Sequence, residues 1–189
     1  MYFPTKKEAF NIPNILTYIR FIMIPVFLYA YYKLDTKTVH IYSTCVLIIS
    51  SLTDFLDGYI ARNYNLITDW GRLIDPIADK LTQLVVALAL VSTYSAYAWV
   101  LAVILVKDGM LLFFQYYVYR QTGNHLTQAE MPGKIATAIF FVVSIVLLIF
   151  HIPGTLIANI LIYATTIALL MALSHYATKL LAYTNETKD

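Results

Sequence analysis

Charge is what this chain has least of. Of its 189 residues only 13% are Asp, Glu, Lys or Arg, against 60% hydrophobic, and soluble domains carry about 25% charged residues. That balance excludes an ordinary soluble domain and predicts an integral membrane protein. A net charge of +2 supplies no basic field for nucleic acid, and no nucleic-acid partner is expected. Cysteine is nearly absent too. The single Cys45 excludes an internal disulfide and a thiolate metal site, and it reads as a small buried side chain. A cleavable leader is also missing from the pattern. Lys6, Lys7 and Glu8 precede any apolar run, and no small-residue cleavage site follows, so the first apolar run is expected to stay in the membrane.

What the chain has instead is long apolar runs. They cover approximately 15–32, 39–62, 71–93, 99–119, 133–150 and 156–181, and about 20 residues cross a hydrocarbon core of ~30 Å. The fold class expected is all-α, an integral membrane bundle of six transmembrane helices. Residues 1–12, with Tyr2, Phe3, Phe10 and two lysines, read as a juxtamembrane amphipathic segment. Residues 13–182 form the helical domain, and 183–189 an exposed tail. Pro13 is placed to open the first helix, with Asn11 or Asn14 as its cap. Lys6, Lys7, Arg62, Arg72, Arg120, Lys134, Lys179 and Lys188 fall on the face shared by the termini, and Lys33 and Lys37 on the other. That asymmetry predicts termini on the cytoplasmic side.

Against this background the stretch from Asp54 to Asp79 is conspicuous. It carries five carboxylates, Asp54, Asp57, Asp69, Asp75 and Asp79, at a membrane boundary where unneutralised charge costs several kcal/mol. Asp54 and Asp57 are spaced i, i+3 and Asp75 and Asp79 i, i+4, so each pair projects from one helical face. Two such pairs facing each other make an all-oxygen cage suited to hard divalent cations such as Mg²⁺ or Mn²⁺. Gly58 and Ala61 lack bulk and allow a ligand to approach closely. Arg62 adds a fork donor that matches phosphate oxygens. Asp69 reads as a helix cap or a surface charge. Arg20 lies inside the first span, and pairing with buried acid or phosphate is the reading preferred over snorkelling. Lys107 and Asp108 interrupt the fourth span and signal a function or an internal ion pair.

The pattern D-x2-D-G-x2-A-R-x8-G-x3-D-x3-D is met in full by Asp54, Asp57, Gly58, Ala61, Arg62, Gly71, Asp75 and Asp79. It resembles the motif of the CDP-alcohol phosphatidyltransferases, integral membrane enzymes of phospholipid synthesis. Pro13, Asn14, Leu16, Thr17 and Arg20 are similar to the N-terminal P-N-x-L-T-x-x-R pattern of members with glycerol-type acceptors. The resemblance implies two Mg²⁺ or Mn²⁺ ions held by Asp54, Asp57, Asp75 and Asp79, with Asp79 also the catalytic base. It implies a CDP side lined by Thr17, Asp57, Gly58, Ala61, Arg62 and Gly71. The partners it implies are CDP-diacylglycerol and glycerol 3-phosphate, with a homodimer in a bacterial cytoplasmic membrane and the active site facing the cytoplasm.

Lys107, Arg120 and Lys134 are the candidates for binding the acceptor. Gly133, Lys134 and Thr137 resemble the G-K-x-K-T element of phosphatidylglycerophosphate synthases, with Ala136 in place of the second lysine. Lys107 and Asp108 stand where those synthases tend to carry Arg-Glu. These departures keep phosphatidylglycerol open as the alternative acceptor, as in cardiolipin synthases. A reading of a different class, a divalent-cation transporter, uses the same acids as an ion path but gives Gly58, Ala61 and Arg62 no task.

Overall fold

The computed structural model of the chain describes residues 10–33, 36–122 and 131–186. Most of the expected juxtamembrane segment and the last residues of the tail lie outside them. Among the described residues six helices follow in order: α1 Ile12–Lys33, α2 Thr36–Asn63, α3 Asp69–Thr93, α4 Tyr97–Thr122, α5 Met131–Phe150 and α6 Leu156–Glu186. No strand occurs among the described residues. Five of the helices are long and apolar enough to cross a membrane. The exception is α3, whose first half carries Asp69, Arg72, Asp75, Asp79 and Lys80. Side chains that a soluble protein would bury stand outward, including Ile22, Ile41, Phe113, Val142 and Ile157, as a lipid-facing surface requires. Cys45 is among the exposed residues, contrary to the buried position expected for it. In a membrane helix an outward face is already apolar, so a thiol gains nothing by turning inward.

Boundaries differ from the sequence expectation in instructive places. Asn11 is the cap of α1, its Oδ1 accepting from the Asn14 backbone N–H at 3.0 Å. Thr68 caps α3, its hydroxyl accepting from the Gly71 N–H at 3.0 Å, so α3 begins at Asp69 and Gly71 sits inside its first turn. At the other end α6 continues to Glu186, through residues assigned from sequence to the tail.

The described chain divides into two compact units. The first runs to Ala89 and includes Ile145–His151, and the second comprises Leu90–Ser144 with the chain from Ile152 onward. In the first, α1 packs mainly on α2, and its buried residues Pro13, Thr17, Arg20, Phe27 and Ala30 recur at helical spacing. The facing stripe on α2 is Ser43, Leu47, Ser50 and Asp57. In the second, α4 packs mainly on α6 through a core that includes Tyr97, Ile104, Ile162 and Leu169. A polar link crosses that core: Ser144 donates to the Phe140 carbonyl at 2.7 Å, so the Tyr97 hydroxyl, 2.7 Å away, is the donor to Ser144.

Candidate active site

Three helix segments of the first unit bring the motif residues together. The loop of 64–68 between α2 and α3 fixes how the two carboxylate pairs face each other. Its entry is a Schellman-type stop: Leu66 N–H reaches the Ala61 carbonyl at 3.0 Å, with Asn65 at φ 52°, a left-handed value that Asn tolerates. Its exit is the Thr68 cap. From α1, Asn11 Nδ2 donates to the Leu66 carbonyl at 2.9 Å, Asn14 Nδ2 to the Thr68 hydroxyl at 3.2 Å, and Tyr18 accepts from the Trp70 indole at 2.8 Å. The start of α1 is thus a clasp over the loop. Every one of these bonds joins residues more than fifty positions apart, so no local sequence pattern announces them.

Beneath the clasp lies the carboxylate cluster, and Arg20 is at its centre. Its guanidinium pairs with Asp54 on α2 at 2.8 Å, and also with Asp57 on α2 and Asp79 on α3. The Arg20 side chain is 1% exposed, Asp57 5%, and Asp54 and Asp79 about half. The cluster therefore has a dry floor and an open rim. Deeper along the same seam, one turn from Arg20, Asp54 and Asp79, a cavity of about 10 Å³ is lined by Met23, Ile24, Phe27, Leu47, Thr82 and Val86, among others. Its lining is mostly apolar, and low-dielectric surroundings strengthen neighbouring ion pairs.

Asp75, the fourth carboxylate, is held by the Thr17 hydroxyl at 2.5 Å. That hydroxyl lies 3.5 Å from Asp57 and 3.2 Å from the Pro13 carbonyl as well, but one hydroxyl donates one proton, and the shortest distance selects Asp75. Thr17, expected on the CDP side, is buried and acts by orienting a carboxylate. The two motif glycines also part company. A Cβ at Gly58 would meet only the end of Arg62, at 3.6 Å, whereas a Cβ at Gly71 would stand 2.6 Å from Asn14 Oδ1 and 3.2 Å from Thr68 Oγ1. Space beside Gly58 is open to a ligand, but beside Gly71 the protein itself fills it. Arg62 is exposed and returns its Nε to the Gly58 carbonyl at 2.9 Å. Asp69 is an exposed first-turn acid 3.7 Å from Arg72, a surface charge and not the cap.

The donor set fits a hard divalent cation: carboxylate oxygens from two helices, three of which already converge on one positive charge. Among the described residues, however, no group of three or more His, Cys, Asp or Glu side chains is arranged to hold a metal ion. The guanidinium stands between them.

The candidate acceptor residues belong to the second unit. Lys107 is 3% exposed at its side chain and pairs with Asp108 at 2.6 Å. Arg120 is exposed, its guanidinium 5.9 Å from the centre of the Tyr116 ring. Lys134 is exposed in the first turn of α5. Beside it, Gly133 is pressed against the Tyr176 hydroxyl, with no room for a Cβ.

Residues 10–175 match the CDP-alcohol phosphatidyltransferase family. The chain belongs to that family. Among curated relatives it is similar to the CDP-diacylglycerol--glycerol-3-phosphate 3-phosphatidyltransferase of Bacillus subtilis (strain 168), 32% identical over 160 residues that cover 79% of this chain and 82% of the relative. An enzyme of the same name from Rickettsia felis is 46% identical over 71 residues, 38% of this chain and 39% of that one. A cardiolipin synthase (CMP-forming) from Streptomyces coelicolor is 33% identical over 132 residues, 69% of this chain and 61% of the relative. As a CDP-alcohol phosphatidyltransferase, the protein is an enzyme and an integral membrane protein.

Proposed function

We propose that the protein transfers the phosphatidyl group of CDP-diacylglycerol to glycerol 3-phosphate, forming phosphatidylglycerophosphate and releasing CMP, in a reaction that requires Mg²⁺ or Mn²⁺. The observation that carries this reading is the meeting of the two acid pairs with Thr17 and Arg20 of the N-terminal pattern in one half-open cluster. The names of the Bacillus and Rickettsia relatives support the donor and the acceptor.

Asp54, Asp57, Asp75 and Asp79 would hold the ions, which when bound supply charge neutralisation at the pyrophosphate and stabilise the entering and leaving oxygens. Asp79, on the open rim, takes the proton of the acceptor hydroxyl. The resulting oxygen forms a bond to the phosphorus that bears diacylglycerol. The bond from that phosphorus to the bridging oxygen breaks, and CMP departs with its electron pair. Gly58 and Ala61 leave room for the nucleotide phosphates and Arg62 provides a fork for them. Lys107, Arg120 and Lys134 are the proposed charges for the acceptor's phosphate. The excess of basic residues on the face of the termini favours a cytoplasmic active site, the side on which a water-soluble acceptor is available.

The test is an assay of purified protein with CDP-diacylglycerol and Mn²⁺ or Mg²⁺, offered glycerol 3-phosphate or phosphatidylglycerol separately while CMP and the lipid product are followed. Turnover with glycerol 3-phosphate and loss of turnover on chelation are expected. Turnover with phosphatidylglycerol alone would favour the activity named for the Streptomyces relative. No metal-dependent CMP release with either acceptor would overturn the proposal.

A further inference from the structure

Three of the four motif carboxylates already pair with a positive charge that belongs to the chain. Arg20 reaches two helices at once and pairs with three of the four acids, and its place in the first unit leaves it 1% exposed. It nevertheless remains imperfectly satisfied. Its Nε is buried with no hydrogen-bond partner in the protein, a donor open to a further acceptor. One guanidinium also cannot neutralise four carboxylates.

We infer that Arg20 is a tethered counter-cation that closes the carboxylate cluster before metal binds and yields the carboxylates to the divalent ions. This deepens the metal-dependent reading above and rests on it. A divalent ion held by the same carboxylates would bring two further positive charges within a few ångströms of the guanidinium, and that repulsion favours release of Asp54, Asp57 and Asp79 from Arg20. A displaced guanidinium in so buried a place needs a new anionic partner. Phosphate oxygens match its fork, and a nucleotide diphosphate ester is the substrate class that brings them. Arg20 thereby links metal loading to nucleotide loading, acting as a positioning residue through the acids it releases.

The experiment compares wild type with Arg20→Gln, and with Arg20→Lys, which keeps the charge but cannot fork between three carboxylates. Mn²⁺ affinity is read by electron paramagnetic resonance of the free ion, and metal-free stability by thermal unfolding in detergent. Without metal, Arg20→Gln is expected to melt roughly 6–20 °C below wild type, as for a buried charge cluster that has lost its partner, with Arg20→Lys between. Mn²⁺ is expected to bind Arg20→Gln more tightly by roughly 5- to 150-fold, the usual size of a coupling between competing events. Should Arg20→Gln fail to fold, tighter Mn²⁺ binding by Arg20→Lys carries the same meaning. Unchanged or weaker Mn²⁺ binding in the variant that folds, while wild type retains metal-dependent transfer, overturns the displacement and leaves the proposed activity standing. Absence of Mn²⁺ binding by wild type and variants alike overturns both.

Discussion

Among the described residues each unit buries one basic side chain, Arg20 in the first and Lys107 in the second, and the two are neutralised differently. In the first, Arg20 of α1 is neutralised by acids from α2 and α3, all at least 34 positions away in sequence. In the second, Lys107 is neutralised by Asp108, its chain neighbour on α4. The first arrangement holds three helices together through charge and would come apart if any helix moved. The second pairs two chain neighbours on one helix. Of the two, the cross-helix cluster is the one that coincides with the family motif.

The comparison breaks first on activity. Asp79→Asn keeps a polar group of the same size facing Arg20 but removes the proposed proton acceptor, and transfer should fall about 10²–10⁴-fold with the thermal unfolding midpoint near that of wild type. Lys107→Met in the other unit should instead leave kcat nearly intact and raise the KM for glycerol 3-phosphate. Steady-state kinetics over a range of acceptor concentrations separates the two patterns. Comparable losses of kcat in both variants would remove the distinction between a reacting site and an acceptor charge.

Stability sharpens it next. Asp57→Ala strands part of a buried ion cluster and should cost about 3–5 kcal/mol. Lys107→Met leaves behind Asp108, whose side chain is 17% exposed against 5% for Asp57, and should cost less, about 1–3 kcal/mol. Unfolding of both variants without metal checks the order. A larger loss for Lys107→Met would mean that the neighbour pair carries more of its unit's stability than the cross-helix cluster does of the other.

Much of this was legible in the chain. The i, i+3 and i, i+4 spacings place the acids on helices, because helical period and the cost of membrane charge leave few other uses for them. The same cost argument predicted that Arg20 pairs with acid, without saying which acids. The clasp was not legible. Asn11, Asn14 and Tyr18 look like capping and interfacial residues, and only the tertiary fold shows that their side chains tie down Leu66, Thr68 and Trp70. Gly71 shows the same limit. A motif glycine suggests ligand approach, yet its space is taken by Asn14, and a sequence pattern cannot distinguish room left for a ligand from room filled by the protein.

That distinction gives the smallest and most specific prediction. Alanine at Gly71 would place a methyl 2.6 Å from Asn14 Oδ1, and Asn14 cannot simply turn aside, since it is buried and bonded to Thr68. The overpacking should cost about 1–3 kcal/mol and loosen the clasp. Alanine at Gly58 meets only the flexible end of Arg62 and removes a glycine from the interior of α2, so stability should hold or rise by about 0.5–1 kcal/mol. Activity should move the other way, because the methyl enters the open space proposed for the nucleotide: the KM for CDP-diacylglycerol should rise in Gly58→Ala at full stability. Parallel thermal melts and donor titrations of the two variants decide the matter. If Gly58→Ala binds the donor as well as wild type, the open side of α2 is not where the nucleotide sits, and the small residues of the motif would have to be explained by packing, as at Gly71.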